Sequence, residues 1–263
     1  MVGADDMVKR LAAAWNAAGV EPGDTLLLHT SAKRLLRTIL REGIKPTPEL
    51  IIRSFLEALG SQGTLLLPLF NFDFAAGKPF DIRSSPSQMG VVTEAGRLWP
   101  GAVRTGHPIY SFAVIGADAP AFDQLENFSG YGEDSPFGIL HRGNGKIAAL
   151  DLPDNGSMTY YHYVEEASSA PYRYHKTFTA PYVDSFGDEQ LRTFGLFVRD
   201  LEQGVVTDVE PMGMILWDKG LYRGERPGEG FGLRTISARA MYDEVRCVIE
   251  EGRALGLLYA IDR

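Results

Sequence analysis

Apolar residues at helical spacing open the chain. Met7, Val8, Leu11, Ala14 and Trp15 share one side of residues 5–18, which predicts an amphipathic helix. The turn GVEPGD (19–24) ends it, and the apolar run TLLLH (25–29) predicts a buried strand. TSAKRLLRTIL then reads as a helix capped by Thr30 or Ser31. Residues 47–59, TPELIIRSFLEAL, predict another, with Thr47 as cap and Pro48 in the first turn. Gly60 and Gly63 stop it before the strand TLLLPLF (64–70). This β-α-α-β rhythm, with near-continuous apolar strands, predicts parallel pairing under helical cover.

Farther along the pattern loosens. Residues 71–87 are long and irregular, 87–99 predict a helix and 111–116 a strand. A loop rich in Gly, Ser and Pro (129–138) precedes the strand KIAALDL (146–152) and the helix TYYHYVEEA (159–167). From about 172 to 235 the pattern turns β-rich, including the Gly-spaced GMILWDKGLYRGERPGEGFG, and a helix over 237–255 closes the chain. Without repeats, low-complexity tracts or a clean linker, residues 1–263 read as a single domain with a β-rich elaboration at about 172–235.

Composition narrows the function. The 263 residues are 44% hydrophobic and 23% charged, as in a water-soluble globular protein. A formal charge of −8 disfavours nucleic acid or an anionic membrane as partner and suits a cationic substrate. Cys247 stands alone, so an internal disulfide is excluded and a cysteine metal site is not expected. The opening MVGADDMVKRLAAAW has early acids and no long apolar run, unlike a signal peptide. No stretch approaches the roughly 18 apolar residues of a membrane span. A cytoplasmic protein is expected.

Familiar motifs exclude more than they assign. G-x-x-x-x-G-K-[ST] and G-x-S-x-G are absent, and GEGFG (228–232) lacks the context of a dinucleotide site. The five histidines show no H-x-x-x-H spacing, so no metal is expected. What remains is a series of short clusters after strands or at helix starts. His29-Thr30-Ser31 follows the first strand, where N–H groups and hydroxyls suit a phosphate or carbonyl oxygen as well as a plain cap. Ser87-Gln88-Met89-Gly90 opens a predicted helix. His107 lies in RTGHP, fit for a substrate contact or for holding the loop. Lys33, Arg34 and Arg37 form a basic face for phosphates or for solvent. On a helix His162 shares a face with Glu165 and also with Glu166, and either acid would orient the ring and raise its basicity. Tyr160, Tyr161 and Tyr163 suit stacking on a sugar or burial in the core.

Taken in order, His29-Thr30-Ser31, Glu57-Ala58-Leu59-Gly60-x-x-Gly63-Thr64-Leu65, Ser87-x-Met89-Gly90, Arg104-x-x-His107-Pro108-x-x-Ser111, Ser135-Pro136-Phe137-Gly138 and Thr159-x-x-His162-x-x-Glu165 resemble the aminoglycoside 3-N-acetyltransferase family over about residues 20–180. The resemblance implies a three-layer α/β/α fold with a central mixed, largely parallel sheet. It also implies acetyl-CoA as co-substrate and an amine on a sugar as acceptor. By resemblance His162 and its acidic neighbour serve the amine, and His29, Thr30 and Ser31 line the coenzyme side. Lys33, Ser87, Ser111 and Phe137 join that side; His107, Tyr160, Tyr161 and Glu166 join the acceptor side. Two departures stand out: Thr30 replaces a serine, and Asp151-Leu152-Pro153-Asp154-Asn155-Gly156-Ser157 intervenes before the histidine. Residues beyond about 185 look more like relatives that act on surface-polysaccharide amino sugars. The expected acceptor is therefore a nucleotide-linked amino sugar, with a free aminoglycoside as the alternative and a homodimer as the assembly. A serine hydrolase using Ser111 or Ser157 with His162, and a non-catalytic coenzyme A-binding module, are the remoter readings.

Overall fold

A computed structural model describes residues 3–123 and 125–262. The helices are α1 (Ala4–Ala17), α2 (Lys33–Arg41), α3 (Pro48–Leu59), α4 (Val91–Arg97), α5 (Ala119–Phe122), α6 (Pro136–Arg142), α7 (Tyr160–Ala167), α8 (Glu210–Asp218) and α9 (Ala238–Glu250). The strands are β1 (Thr25–Thr30), β2 (Thr64–Pro68), β3 (Phe80–Asp81), β4 (Val103–Arg104), β5 (Phe112–Gly116) and β6 (Lys146–Leu150), followed by β7 (Arg173–Val183), β8 (Glu189–Arg199), β9 (Val205–Thr207), β10 (Arg223–Gly224), β11 (Leu233–Ser237) and β12 (Tyr259–Ile261).

Seven strands form the main sheet in the order β10-β11-β6-β1-β2-β5-β4. Parallel pairing is confined to the centre, where β1 pairs with β2 and with β6. The outer pairings are antiparallel, so the sheet is mixed and less parallel than the apolar runs implied. Both faces are covered, which explains those runs. Leu26, Leu28, Leu65 and Leu67 face a core built with α1, α3 and α4, whereas Leu27 and Leu66 face one built with α6, α7 and α9. Alternation along each strand sends successive leucines to opposite layers.

Several local expectations change. β1 runs through Thr30, and the Ser31 N–H bonds the Leu150 carbonyl at 2.8 Å. Neither Thr30 nor Ser31 therefore caps α2; the cap position is Ala32, which makes no side-chain cap bond. The helix expected from Ser87 starts at Val91, because Gly90 has φ 127°, outside the helical region. Part of the 129–138 loop is helical: Ser135 Oγ accepts from the Gly138 N–H, and Pro136 opens α6. GMILWD belongs to α8 rather than to a strand, with Met212 and Leu216 buried one turn apart. Thr47 does cap α3, accepting from the Leu50 N–H at 3.3 Å.

Beyond the sheet, β7 and β8 make a long antiparallel hairpin, in register from Arg173↔Arg199 to Val183↔Glu189, with β3 along one side. The foot of this hairpin, the C-terminal ends of β1 and β6, and the start of α7 converge. Crevices outside the carboxyl ends of parallel strands are the usual ligand sites of open α/β sheets.

Candidate active site

Helix α7 is anchored through Tyr160, Tyr161, Tyr163 and Val164, all buried. That orientation leaves the His162 side chain 18% exposed at a cleft, while Glu165, one turn on, is 1% exposed. His162 Nδ1 lies 2.8 Å from Glu165 Oε2. The Arg173 guanidinium completes the group: its Nε is 2.8 Å from Glu165 Oε2 and its Nη2 is 2.9 Å from His162 Nδ1. One ring nitrogen thus faces both a carboxylate and a guanidinium. A protonated Nδ1 donates to Glu165 and leaves Nε2 with a free lone pair; a bare Nδ1 accepts from Arg173. Burial pushes the Glu165 carboxyl up, but Arg173 and His162 hold it below its usual value, so it is charged and favours the first arrangement. His162 itself is lowered by burial and then by Arg173, against the pull of Glu165.

His162 sits between two clefts. The first, about 290 Å³, is lined by His29, Phe70, Met89, Asp154, Gly156, Thr159, Tyr161 and Val209 among others. The second, about 280 Å³, lies against the hairpin and is lined by Tyr131, Arg173, Lys176, Phe178, Phe197 and Arg199 among others. Phe72, Tyr110, His162 and Thr207 border both. A third cavity, about 330 Å³, is lined by Thr30, Ser31, Lys33, Leu36 and Gly90. It adjoins the first along the chain, through His29-Thr30 and Met89-Gly90.

Of the residues singled out in the sequence, His162, His29 and Tyr161 border the first cleft. His29 is buried, its Nε2 is 3.4 Å from Thr159 Oγ1, and burial followed by the Arg234 charge lowers it to about 3, so it is neutral. Tyr161 donates its hydroxyl proton to Asp154 Oδ2 at 2.8 Å. Thr30, Ser31 and Lys33 lie at the third cavity.

The remaining candidates stand elsewhere. Glu166 accepts from Ser129 Oγ at 2.6 Å and is not the partner of His162. Ser87 is engaged in its own turn: its N–H bonds Glu94 and its Oγ lies 2.8 Å from Thr93 Oγ1. Ser111 and Phe137 are fully buried; Arg104 Nε donates to Ser111 Oγ, and Phe137 packs edge-on against Phe112. Tyr160 is also sealed in the core, its hydroxyl 2.9 Å from His141 Nδ1. His107 is a structural clasp: buried, its Nδ1 accepts from the Ile109 and Tyr110 N–H groups and its Nε2 lies 3.2 Å from the Gly195 carbonyl. Among the described residues no serine hydroxyl bonds His162: Ser157 donates to the Pro153 carbonyl, and the neighbours of His162 Nδ1 are Glu165 and Arg173.

Two features were not legible in the sequence. One is Arg173, brought to His162 by the hairpin. The other is the floor of the first cleft, where Asp154 pairs with Arg234 at 2.7 Å and also receives the Tyr161 and Tyr222 hydroxyls. Among the described residues, no cluster of three or more His, Cys, Asp or Glu is placed to hold a metal ion. No described helix is long and apolar enough to cross a membrane.

An imidazole held by a buried carboxylate, at the junction of two clefts beside a mixed sheet, has the layout of a two-substrate group-transfer enzyme. The chain belongs to the aminoglycoside 3-N-acetyltransferase family, whose model matches residues 27–250. It is 30% identical over 182 residues to aminoglycoside N(3)-acetyltransferase VII of Streptomyces paromomycinus, and 28% identical over 185 residues to the type VIII enzyme of Streptomyces fradiae. Each match covers 62% of this chain and 61% of the relative, so the chain matches about three fifths of those relatives. In three dimensions the chain is similar to aminoglycoside acetyltransferase AAC(3)-Xa, with a TM-score of 0.77, 27% identity, and coverage of 93% of this chain and 92% of that one. It shares its fold with AAC-IIIb, solved as a binary complex with CoASH, with a TM-score of 0.78, 24% identity and coverage of 95% and 97%. These relatives are named as aminoglycoside acetyltransferases, and none of the names mentions the nucleotide-linked sugar expected from the C-terminal third.

Proposed function

We propose that this chain transfers an acetyl group from acetyl-CoA to an amine of an amino sugar, aminoglycosides being the first acceptors to test. One observation carries the reading: His162 lies between two separate clefts with Nδ1 engaged by Glu165 and with no protein hydrogen bond to Nε2 among the described residues.

The first cleft fits the donor. Phe70, Phe72, Met89, Met158 and Val209 give it the apolar walls that a pantetheine arm needs, and the adjoining third cavity offers Lys33 and the Thr30 and Ser31 hydroxyls toward phosphates. The acceptor amine then comes from the hairpin side. His162 Nε2 takes a proton from the attacking nitrogen, directly or through one water, as the nitrogen bonds the thioester carbon. The carbon–sulfur bond breaks, and the proton held by the imidazolium is available to the departing thiolate. Glu165 keeps the ring in the reactive tautomer and stabilises the imidazolium. Thr159, three residues before His162 and with its hydroxyl 3.4 Å from His29 Nε2, can donate to the thioester oxygen when that Nε2 carries the His29 proton.

The test is thiol release from acetyl-CoA with aminoglycosides, simple amino sugars and nucleotide-linked amino sugars as acceptors. His162→Gln is expected to lower kcat by about 10²–10⁴-fold with the circular dichroism spectrum unchanged. Near-normal turnover by that variant would remove His162 as the base.

A further inference from the structure

The acid behind His162 uses only one of its oxygens. Glu165 Oε2 faces both His162 Nδ1 and Arg173 Nε, each at 2.8 Å. Its other oxygen, Oε1, is buried and has no hydrogen-bond partner among the described residues. A buried acceptor is costly to leave unpaired, and buried polar atoms in native proteins nearly always meet a partner. One donor beside it is in the same condition: the Tyr172 hydroxyl is also buried and without a partner among the described residues. The chain brings the two together. Helix α7 ends at Ala167, and the Ala170 N–H turns back to the Glu165 carbonyl at 2.9 Å. Tyr172 follows two residues later, and Arg173, next along, already reaches the same carboxylate. The Asp200 N–H holds the Tyr172 carbonyl at 3.1 Å. The Tyr172 ring, 5% exposed, stacks on Tyr259 of β12 with 4.0 Å between centroids and 21° between planes.

The electrostatics agree with that placement. Burial and then the Glu165 charge push the Tyr172 phenol far above its usual range, so it keeps its proton and is a donor. Burial pushes the Glu165 carboxyl up, and the Tyr172 hydroxyl joins Arg173 and His162 in holding it below its usual value. Resting on the reading of His162 as the base, we infer that Tyr172 is a positioning residue: its hydroxyl donates to Glu165 Oε1 and, through that carboxylate, fixes the His162 ring and sets its basicity. With a donor on each oxygen the carboxylate cannot turn away from Nδ1. A donor on Oε1 also takes up part of the charge that would otherwise stabilise the imidazolium. The charged and titratable groups facing the ring are Glu165 from α7, Arg173 from β7, Arg199 from β8 and Tyr131 from the loop before α6. Tyr172 lines neither cleft at His162 nor the third cavity, so it acts on the reaction only through Glu165.

Tyr172→Phe deletes one oxygen and keeps the ring stacked on Tyr259. The pH titration of His162 by proton–nitrogen NMR reads the effect without any substrate. More of the Glu165 charge then falls on the ring, so its midpoint should rise by a few tenths of a unit to about one unit. In a Glu165→Gln background the same substitution should leave the midpoint in place, because the charge it acts through is gone. In thiol release from acetyl-CoA with an aminoglycoside acceptor, Tyr172→Phe should lower kcat by about threefold to tenfold and leave both KM values unchanged. A midpoint that stays or falls in folded Tyr172→Phe, even with a lower Tm, makes Tyr172 a core residue only and overturns the inference. An equal rise in the Glu165→Gln background overturns it as well, since Tyr172 would then act without the carboxylate. A midpoint that rises as expected while no amine releases thiol upholds the Tyr172–Glu165 bond and removes the acetyl-transfer reading instead.

Discussion

Arg173 offers the sharpest test of how the candidate base is tuned. Its Nη2 lies 2.9 Å from His162 Nδ1 while its Nε holds Glu165. Replacing it by methionine removes a positive charge beside the imidazole and leaves the Glu165 carboxylate with His162 as its counter-charge. Both changes favour the imidazolium, so the pKa of His162 must rise. Two unit charges about 4 Å apart interact by about 4 kcal/mol at an effective dielectric near 20, which corresponds to about three pH units. Glu165 already cancels much of the Arg173 field and His162 is 18% exposed, so the rise is expected to be smaller than that bare figure. In the unaltered protein the midpoint lies below the ordinary 6.5, since burial and Arg173 lower it. Glu165→Gln works in the opposite direction, because it removes the group that raises the ring.

The direct assay is the pH titration of the imidazole by proton–nitrogen NMR, assigned with His162→Gln, which needs no substrate. The acid limb of kcat should follow the same order: Glu165→Gln lowest, then wild type, then Arg173→Met. Removing Arg173 leaves a carboxylate that is 1% exposed without its guanidinium, so a loss of about 3–5 kcal/mol accompanies the shift. Arg173→Lys keeps the charge and should titrate near wild type, which separates charge from damage to the fold. An unmoved or lowered midpoint in a folded Arg173→Met variant would refute the electrostatic reasoning.

Two further outcomes concern stability. His107 is lowered to about 4 by burial and His29 to about 3, so both are neutral in the fold and take up protons only when the chain unfolds. Their contribution is complete above about pH 6.5 and is lost as pH falls toward those values; between pH 7 and 5 each removes about 2 kcal/mol. Urea midpoints at the two pH values measure this, and His107→Gln should flatten the dependence by roughly one histidine's share. Asp154→Ala leaves Arg234, 1% exposed, without its carboxylate and should cost about 3–5 kcal/mol, read as a fall in Tm of roughly 10 °C; a shift of only a degree or two would show that the pair contributes little.

The readable parts of the chain were those in which a local period has a single physical outcome. Thr47-Pro48, the leucine runs of β1 and β2, and His162 with Glu165 on one helical face are of that kind. Burial on both faces made a mixed sheet read as largely parallel, because an antiparallel strand covered on both sides is just as apolar. Ser111, Phe137, His107 and Tyr160 misled for a related reason. A polar or aromatic residue near a strand end serves a core hydrogen bond or ring contact as readily as a ligand, and only the packing decides. Arg173 and the Asp154–Arg234 pair were out of reach because tertiary structure brings them together, the latter across 80 residues of sequence.

The hairpin separates two jobs that the sequence presents as one. His162 and Glu165 are carried on a helix anchored in the core, whereas most of the second cleft comes from side chains of β7 and β8. Side chains there can change without moving the base, except for Arg173, which belongs to both. Register places Arg199 directly opposite Arg173, a like-charge cross-strand pair of the kind that destabilises a hairpin by up to about 1 kcal/mol. Glu165 neutralises one member and leaves Arg199 as a standing cation beside the candidate base. Arg199→Glu would relieve that repulsion and raise stability by a few tenths of a kcal/mol, and by removing a charge that lowers His162 it would also raise the midpoint of the ring. The variant is therefore expected to gain in Tm while the acid limb of kcat moves to higher pH. A variant in which Tm falls and the acid limb stays in place would argue that Arg199 supports the fold and does not tune the ring.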